Sequence, residues 1–197
     1  MTARSLVAAL AFAFALVPIV SSATVVMQLS MEELTARAPL VVRGTVESSR
    51  AISKEDGSIW TVTSLIVTER LKGVGISKVS LKQPGGALGG ITQSVAGAAQ
   101  FTEGEDVLLF LEPAADEKNS FVVLGMASGK VSFEVTNGQQ LAVRHLEGLS
   151  FAKSGSRKIE RVENLERLGS VDRFLNRIRS AVAAHSAPPA APVRGVK

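Results

Sequence analysis

From Leu40 to about residue 151 the sequence is cut into short apolar runs by Gly, Pro and Asn, and this cadence confines the chain to folds built from many short strands. Asn137–Gly138 is the strongest of these breaks, because both residue types accept the positive φ of a two-residue hairpin turn. Asp56–Gly57 is a second such turn, joining a strand expected over Leu40 to Ser53 to another over Ser58 to Leu71. Gly44, inside the first, predicts a bulge or bend. The run Leu65, Ile66, Val67 predicts burial on both faces. Lys72–Gly73 leads into a strand over Ser77 to Gln83, and Ile91 to Val95 reads as an edge strand. Gly104 sets a turn before the apolar Val107 to Leu111, a buried strand closed by Pro113. Phe121 to Leu124, Lys130 to Val135 and Gln140 to Val143 complete the series. The expectation is a mainly β domain: a small closed or partly open antiparallel barrel of OB-like type, with a sandwich as the alternative.

A helix is expected at each end of this series. Ser30 and Glu33 form a capping box, Leu29 can staple onto Leu34, and Pro39 ends the helix by Ala38. At the other end Ser170 caps a segment in which Val171, Phe174, Leu175, Ile178 and Val182 recur at helical spacing. That apolar stripe suits packing onto the chain's own sheet. Arg173, Arg177 and Arg179 occupy other positions of the helix and could make a weak contact with an anionic surface.

The ends differ from the middle. Arg4, the apolar run Leu6 to Val20 and the small residues Ser21, Ser22 and Ala23 read as a signal peptide cleaved near Ala23, so a secreted or periplasmic product is expected. The expected division is 1–23 signal peptide, 24–152 barrel with its N-terminal helix, 153–186 basic helical extension and 187–197 disordered tail. Residues 153–197 carry ten Lys or Arg against four Asp or Glu, whereas the whole chain has a net charge of only +4. The chain has no cysteine, which excludes disulfides and thiolate chemistry and leaves only His145 and His185, far apart, as nitrogen ligands for a metal. No cofactor and no metal is expected.

Each candidate for chemistry has a plainer reading beside it. The Gly-rich stretch Pro84 to Gly90 lacks the spacing and the following helix of a dinucleotide loop, and Gly129–Lys130 lacks the remaining residues of a phosphate loop. Gly125 to Gly129 reads G-x-x-S-G, one position away from the elbow that exposes a catalytic serine, so Ser128, His145 and Asp106 are a weak triad. Glu103, Glu105 and Asp106 could pair for glycoside cleavage or hold calcium, but acids at a glycine turn are ordinarily solvated. Trp60 is the only tryptophan and tyrosine is absent, which argues against nucleic acid as a partner. The Gly-rich stretch is expected to be an irregular loop, and Gln83, Pro84, Gly85, Gly86, Gly89, Gly90 and Gln93 are its candidate binding residues. The function expected is a non-enzymatic exported module that binds another protein. A secreted or periplasmic hydrolase is the alternative.

Leu29 to Leu34, Ala38 to Gly44, Glu69 to Gly73, Gln83 to Gly86 and Gly104 to Leu111 together resemble a group of uncharacterised secreted bacterial proteins over roughly residues 29–150. The same pattern looks like the netrin-like and metalloproteinase-inhibitor branch of OB barrels. That resemblance implies protein binding, and inhibition of a secreted metalloprotease as one form of it. The inhibitors carry a cysteine at their mature N-terminus, whereas this chain would begin at Thr24 without one.

Overall fold

The computed structural model describes residues 24–27, 29–152, 159–161 and 164–186; the expected signal peptide and tail lie outside them. The chain is mainly β. Strands β1 (Thr24–Met27), β2 (Leu40–Ser53), β3 (Ile59–Lys72), β4 (Lys78–Pro84), β5 (Gly86–Leu88), β6 (Ile91–Gln93) and β7 (Asp106–Pro113) make up the first half, with helix α1 (Met31–Arg37) after β1. Strands β8 (Ser120–Val123), β9 (Lys130–Thr136), β10 (Gln139–His145), β11 (Leu149–Ala152), β12 (Ile159–Arg161) and β13 (Leu165–Ser170) follow, and helix α2 (Val171–Ser186) ends the described chain.

The turn chemistry decides the local pairings. Asn137 and Gly138 both take positive φ, +51° and +76°, and join β9 to β10 with Thr136 opposite Gln139. The Asp56–Gly57 turn joins β2 to β3, and the register of that pair shifts between Arg43 and Gly44. A Cβ on Gly44 would overlap the Ile66 carbonyl, so the bulge brings two backbones closer than any other residue allows. The main sheet has eight strands in the order β13-β10-β9-β7-β2-β3-β4-β8. β8 pairs parallel to β4 and also returns to β7, so part of the sheet is ringed, without a barrel closed around all eight strands.

Strand β7 lies at the centre. One edge pairs with β2 from Asp106 to Leu111; the other is divided, Val107 to Leu109 pairing with β9 and Leu111 to Pro113 with β8. Its side chains alternate between two cores. Val107, Leu109 and Leu111 join Val42, Leu65, Val79 and Leu81 inside the ring, while Leu108 and Phe110 face outward onto Leu34, Phe174 and Ile178 of the helices. All five of these β7 residues are fully buried, as their unbroken apolar run predicts.

The capping box of α1 is formed as expected: Ser30 Oγ accepts from Glu33 N (3.1 Å) and Glu33 Oε2 accepts from Ser30 N (2.8 Å). Lys72 Nζ donates to the carbonyls of Thr35 (2.7 Å) and Ala36 (2.9 Å), closing the far end of that helix, and burial pulls its pKa down. Helix α2 packs its Val171, Phe174, Leu175 and Ile178 against the same face. Each such side chain contributes about 1.5–3 kcal/mol by leaving water.

Three expectations are corrected. Ile66 is 46% exposed, because β3 turns one face to the ring core and leaves Ile66 on the outside. The stretch 153–186 is not a purely helical extension: β12 and β13 precede α2, and β13 joins the main sheet beside β10. Arg144 and Glu166 hold that pairing through an ion pair, a contact that no local periodicity announces. The third is the Gly-rich stretch, which is a hairpin rather than an irregular loop: β5 and β6 pair with Gly86 opposite Gln93 and Leu88 opposite Ile91.

Candidate functional site

The base of this hairpin is locked to the main sheet. Gly85 N donates to Ile59 O (2.8 Å), Thr61 Oγ1 donates to Gly85 O (2.7 Å), and Ile59 N donates to Gln93 Oε1 (2.8 Å). Gln83 is buried, and its side-chain amide, oriented to satisfy both partners, donates to Ala99 O (2.9 Å) and accepts from Ala99 N (3.3 Å). Gly85 and Gly86 take φ of +97° and +141°; a Cβ would lie 2.8 Å from Gln93 O at the first and 2.7 Å from Thr61 Oγ1 at the second. Of the seven candidate residues, Gln83, Gly85, Gly86 and Gln93 therefore hold the hairpin in place.

The tip is different. Gly89 and Gly90 take φ of +59° and +79° with nothing within 4 Å of a Cβ on either. They form a two-residue turn in open solvent. Leu88 is 40% and Ile91 66% exposed beside it, and every residue from Ala87 to Ser94 is exposed.

Two clefts flank the chain that follows the hairpin, sharing Ser94, Val95, Ala98, Ala99 and Gln100 as a common wall. The first, about 490 Å³, adds Ser49, Ala51, Thr61 and the hairpin base, and none of its lining residues is charged. The second, about 580 Å³, adds Glu105, Lys130, Glu134, His145 and Glu147. In it Lys130 Nζ donates to Glu105 (2.9 Å) and to Gln100 O, while Glu105 also accepts from Ser132 Oγ (2.6 Å) and Thr102 N (3.2 Å). This half-buried ion pair fastens the common wall to β9. With Gln83 on Ala99 and Gly97 O accepting from Ala127 N (2.9 Å), the wall is held from both sides.

The residues weighed for catalysis are not brought together. Asp106 takes Arg43 at 2.6 Å, and that pairing raises the Arg43 pKa. His145 Nε2 lies 2.6 Å from Glu134. Ser128 is buried, its Oγ has no hydrogen-bond partner among the described residues, and it lines neither cleft. Glu103 accepts from Ser49 N at 3.4 Å, Glu105 from Lys130, Ser132 and Thr102, and Asp106 from Arg43, so the acids expected together have no partner in common. Trp60 has Lys54 Nζ 3.8 Å from its ring centroid, and Lys54 and Lys82 both reach Asp116. On α2, Arg177 clasps Glu32 by donating from Nε and Nη2 to its two carboxylate oxygens (2.7 and 3.0 Å), holding that carboxyl below its ordinary pKa, and Arg179 bonds Glu69 (2.8 Å).

Leu88 and Ile91 escaped the sequence reading, although an apolar residue on each side of Gly89–Gly90 is itself a hairpin signal. Lys130 escaped it too, since nothing local ties a lysine on β9 to Glu105. Compared with protein-family models and with curated proteins, the chain matches none.

Proposed function

We propose that the protein is an exported, non-enzymatic module that binds another protein through the β5–β6 hairpin. The observation that carries this reading is the pairing of a rigid base with an exposed apolar tip: Leu88 and Ile91 stand in solvent on a hairpin bonded to β3 through Ile59 and Thr61. A tip so held loses little conformational freedom when it docks, and recognition commonly sits on such projections from rigid scaffolds. An OB-like arrangement fits the strand sequence. In the ringed part β2, β3, β4, β8 and β7 neighbour one another in turn, and only β4 and β8 run parallel. The burial of Ser128 away from both clefts, together with the separate partners of His145 and Asp106, favours binding over hydrolysis.

The test is affinity capture with the full chain and with a Leu88→Asp, Ile91→Asp double variant, each exported protein retained being quantified by mass spectrometry. A defined protein retained by the wild type and lost about tenfold in the variant supports the reading, at unchanged thermal midpoint. Identical retention by both removes the hairpin tip as the contact surface.

A further inference from the structure

We infer that the outer edge of β6 accepts an extended, uncharged peptide segment of the partner as a third strand of the β5–β6 sheet; this rests on the hairpin being the protein-binding surface. Leu88 and Ile91 flank a two-residue turn, so they form a hydrogen-bonded pair, and antiparallel alternation then turns the N–H and C=O of Thr92 away from β5. No hydrogen bond to either group exists among the described residues. Exposed edges are ordinarily blunted by charge, proline or a bulge. Here the opposite holds: between Lys82 and Glu103 twenty consecutive residues carry no charge, and Ala87 to Ser94 are exposed throughout.

The chemistry of the occupant follows from the cleft beside this edge. Thr92, Gln93, Ser94 and Val95 form its near wall and Ser49 and Gln100 stand among its other residues; the roughly 490 Å³ contain uncharged hydroxyl and amide groups but no counter-charge. A charged side chain entering it would be desolvated without a partner, whereas Thr, Ser, Ala or Val side chains alternating along a strand would not. Free backbone donors and acceptors supply affinity and the cleft supplies selection, as in other strand-addition complexes.

The proposal is tested by panning a displayed random heptapeptide library on the full chain. Enriched sequences are synthesised and titrated against wild type, Thr92→Pro and Thr92→Val. Proline removes an N–H that bonds no group among the described residues, so the thermal midpoint stays put while affinity falls about tenfold or more. Valine retains the N–H and binds within about twofold of wild type. N-methylation of the peptide at alternate residues provides a measurement independent of the protein's folding: one register abolishes binding and the other spares it.

Peptides that bind Thr92→Pro as well as wild type, yet fail on Leu88→Asp, Ile91→Asp, would overturn strand addition and leave the tip as the binding surface. Indifference to all variants would overturn both readings. A library without enrichment overturns strand addition. So does a wild-type dimer in sedimentation that Thr92→Pro dissolves, because the occupant would then be a second copy of this chain.

Discussion

Two glycine pairs lie three residues apart in one hairpin and have opposite surroundings. Gly85 and Gly86 are wedged against Gln93 O and Thr61 Oγ1, whereas Gly89 and Gly90 have open space around them. In sequence they look alike. The first pair lets the hairpin pass close to the sheet, and the second only lets it turn. A binding role sought in the glycines themselves therefore belongs to their apolar neighbours Leu88 and Ile91, and to the backbone edge beyond them.

The contrast can be broken at several points. Gly86→Ala combines positive φ with a 2.7 Å encounter and is expected to cost about 3–4 kcal/mol, read as a lowered midpoint in urea. An unchanged midpoint would mean that the base is as free as the tip. Glu105→Gln leaves Lys130 charged and mostly buried beside the common wall; denaturation should report a loss of about 2–3 kcal/mol. Gly89→Ala meets no neighbour and suffers only the left-handed backbone penalty, about 1 kcal/mol, while Gly89→Asn should recover most of it. The smallest effect belongs to the clamp between the helices. Arg177 lowers the Glu32 pKa from 4.5, so the pair stabilises the fold above about pH 4.5 and ceases to as pH falls through the lowered value. Glu32→Gln should remove about 0.5 kcal/mol at pH 7 and progressively less as pH falls below 4.5, in parallel thermal melts.

Signals confined to a few residues were legible in the sequence. Asn137–Gly138, the capping box at Ser30 and Glu33, and the Gly44 bulge all depend on backbone geometry within one turn or one strand, and each is where local chemistry puts it. The exposure of Ile66 is not legible locally, because an apolar run says which residues share a face, not which face is covered. β5 is hidden by composition, since glycine and alanine have weak strand preference and the run is held by pairing with Ile91–Gln93 and by its base on β3. Gln83, a candidate binding residue at the end of its strand, is instead buried, and its bonds to Ala99 reach sixteen residues along the chain. Such long-range satisfaction of a buried polar group leaves no periodic trace.

The central position of β7 also bears on how the molecule comes apart. Leu109 and Leu111 belong to the ring core and Leu108 and Phe110 to the core under the helices, so neither core can open without dislodging the strand that the other holds. The chain should consequently lose its structure as one cooperative unit, with the amides of β7 exchanging with solvent only through global unfolding and those of the projecting β5–β6 hairpin tip through small local openings.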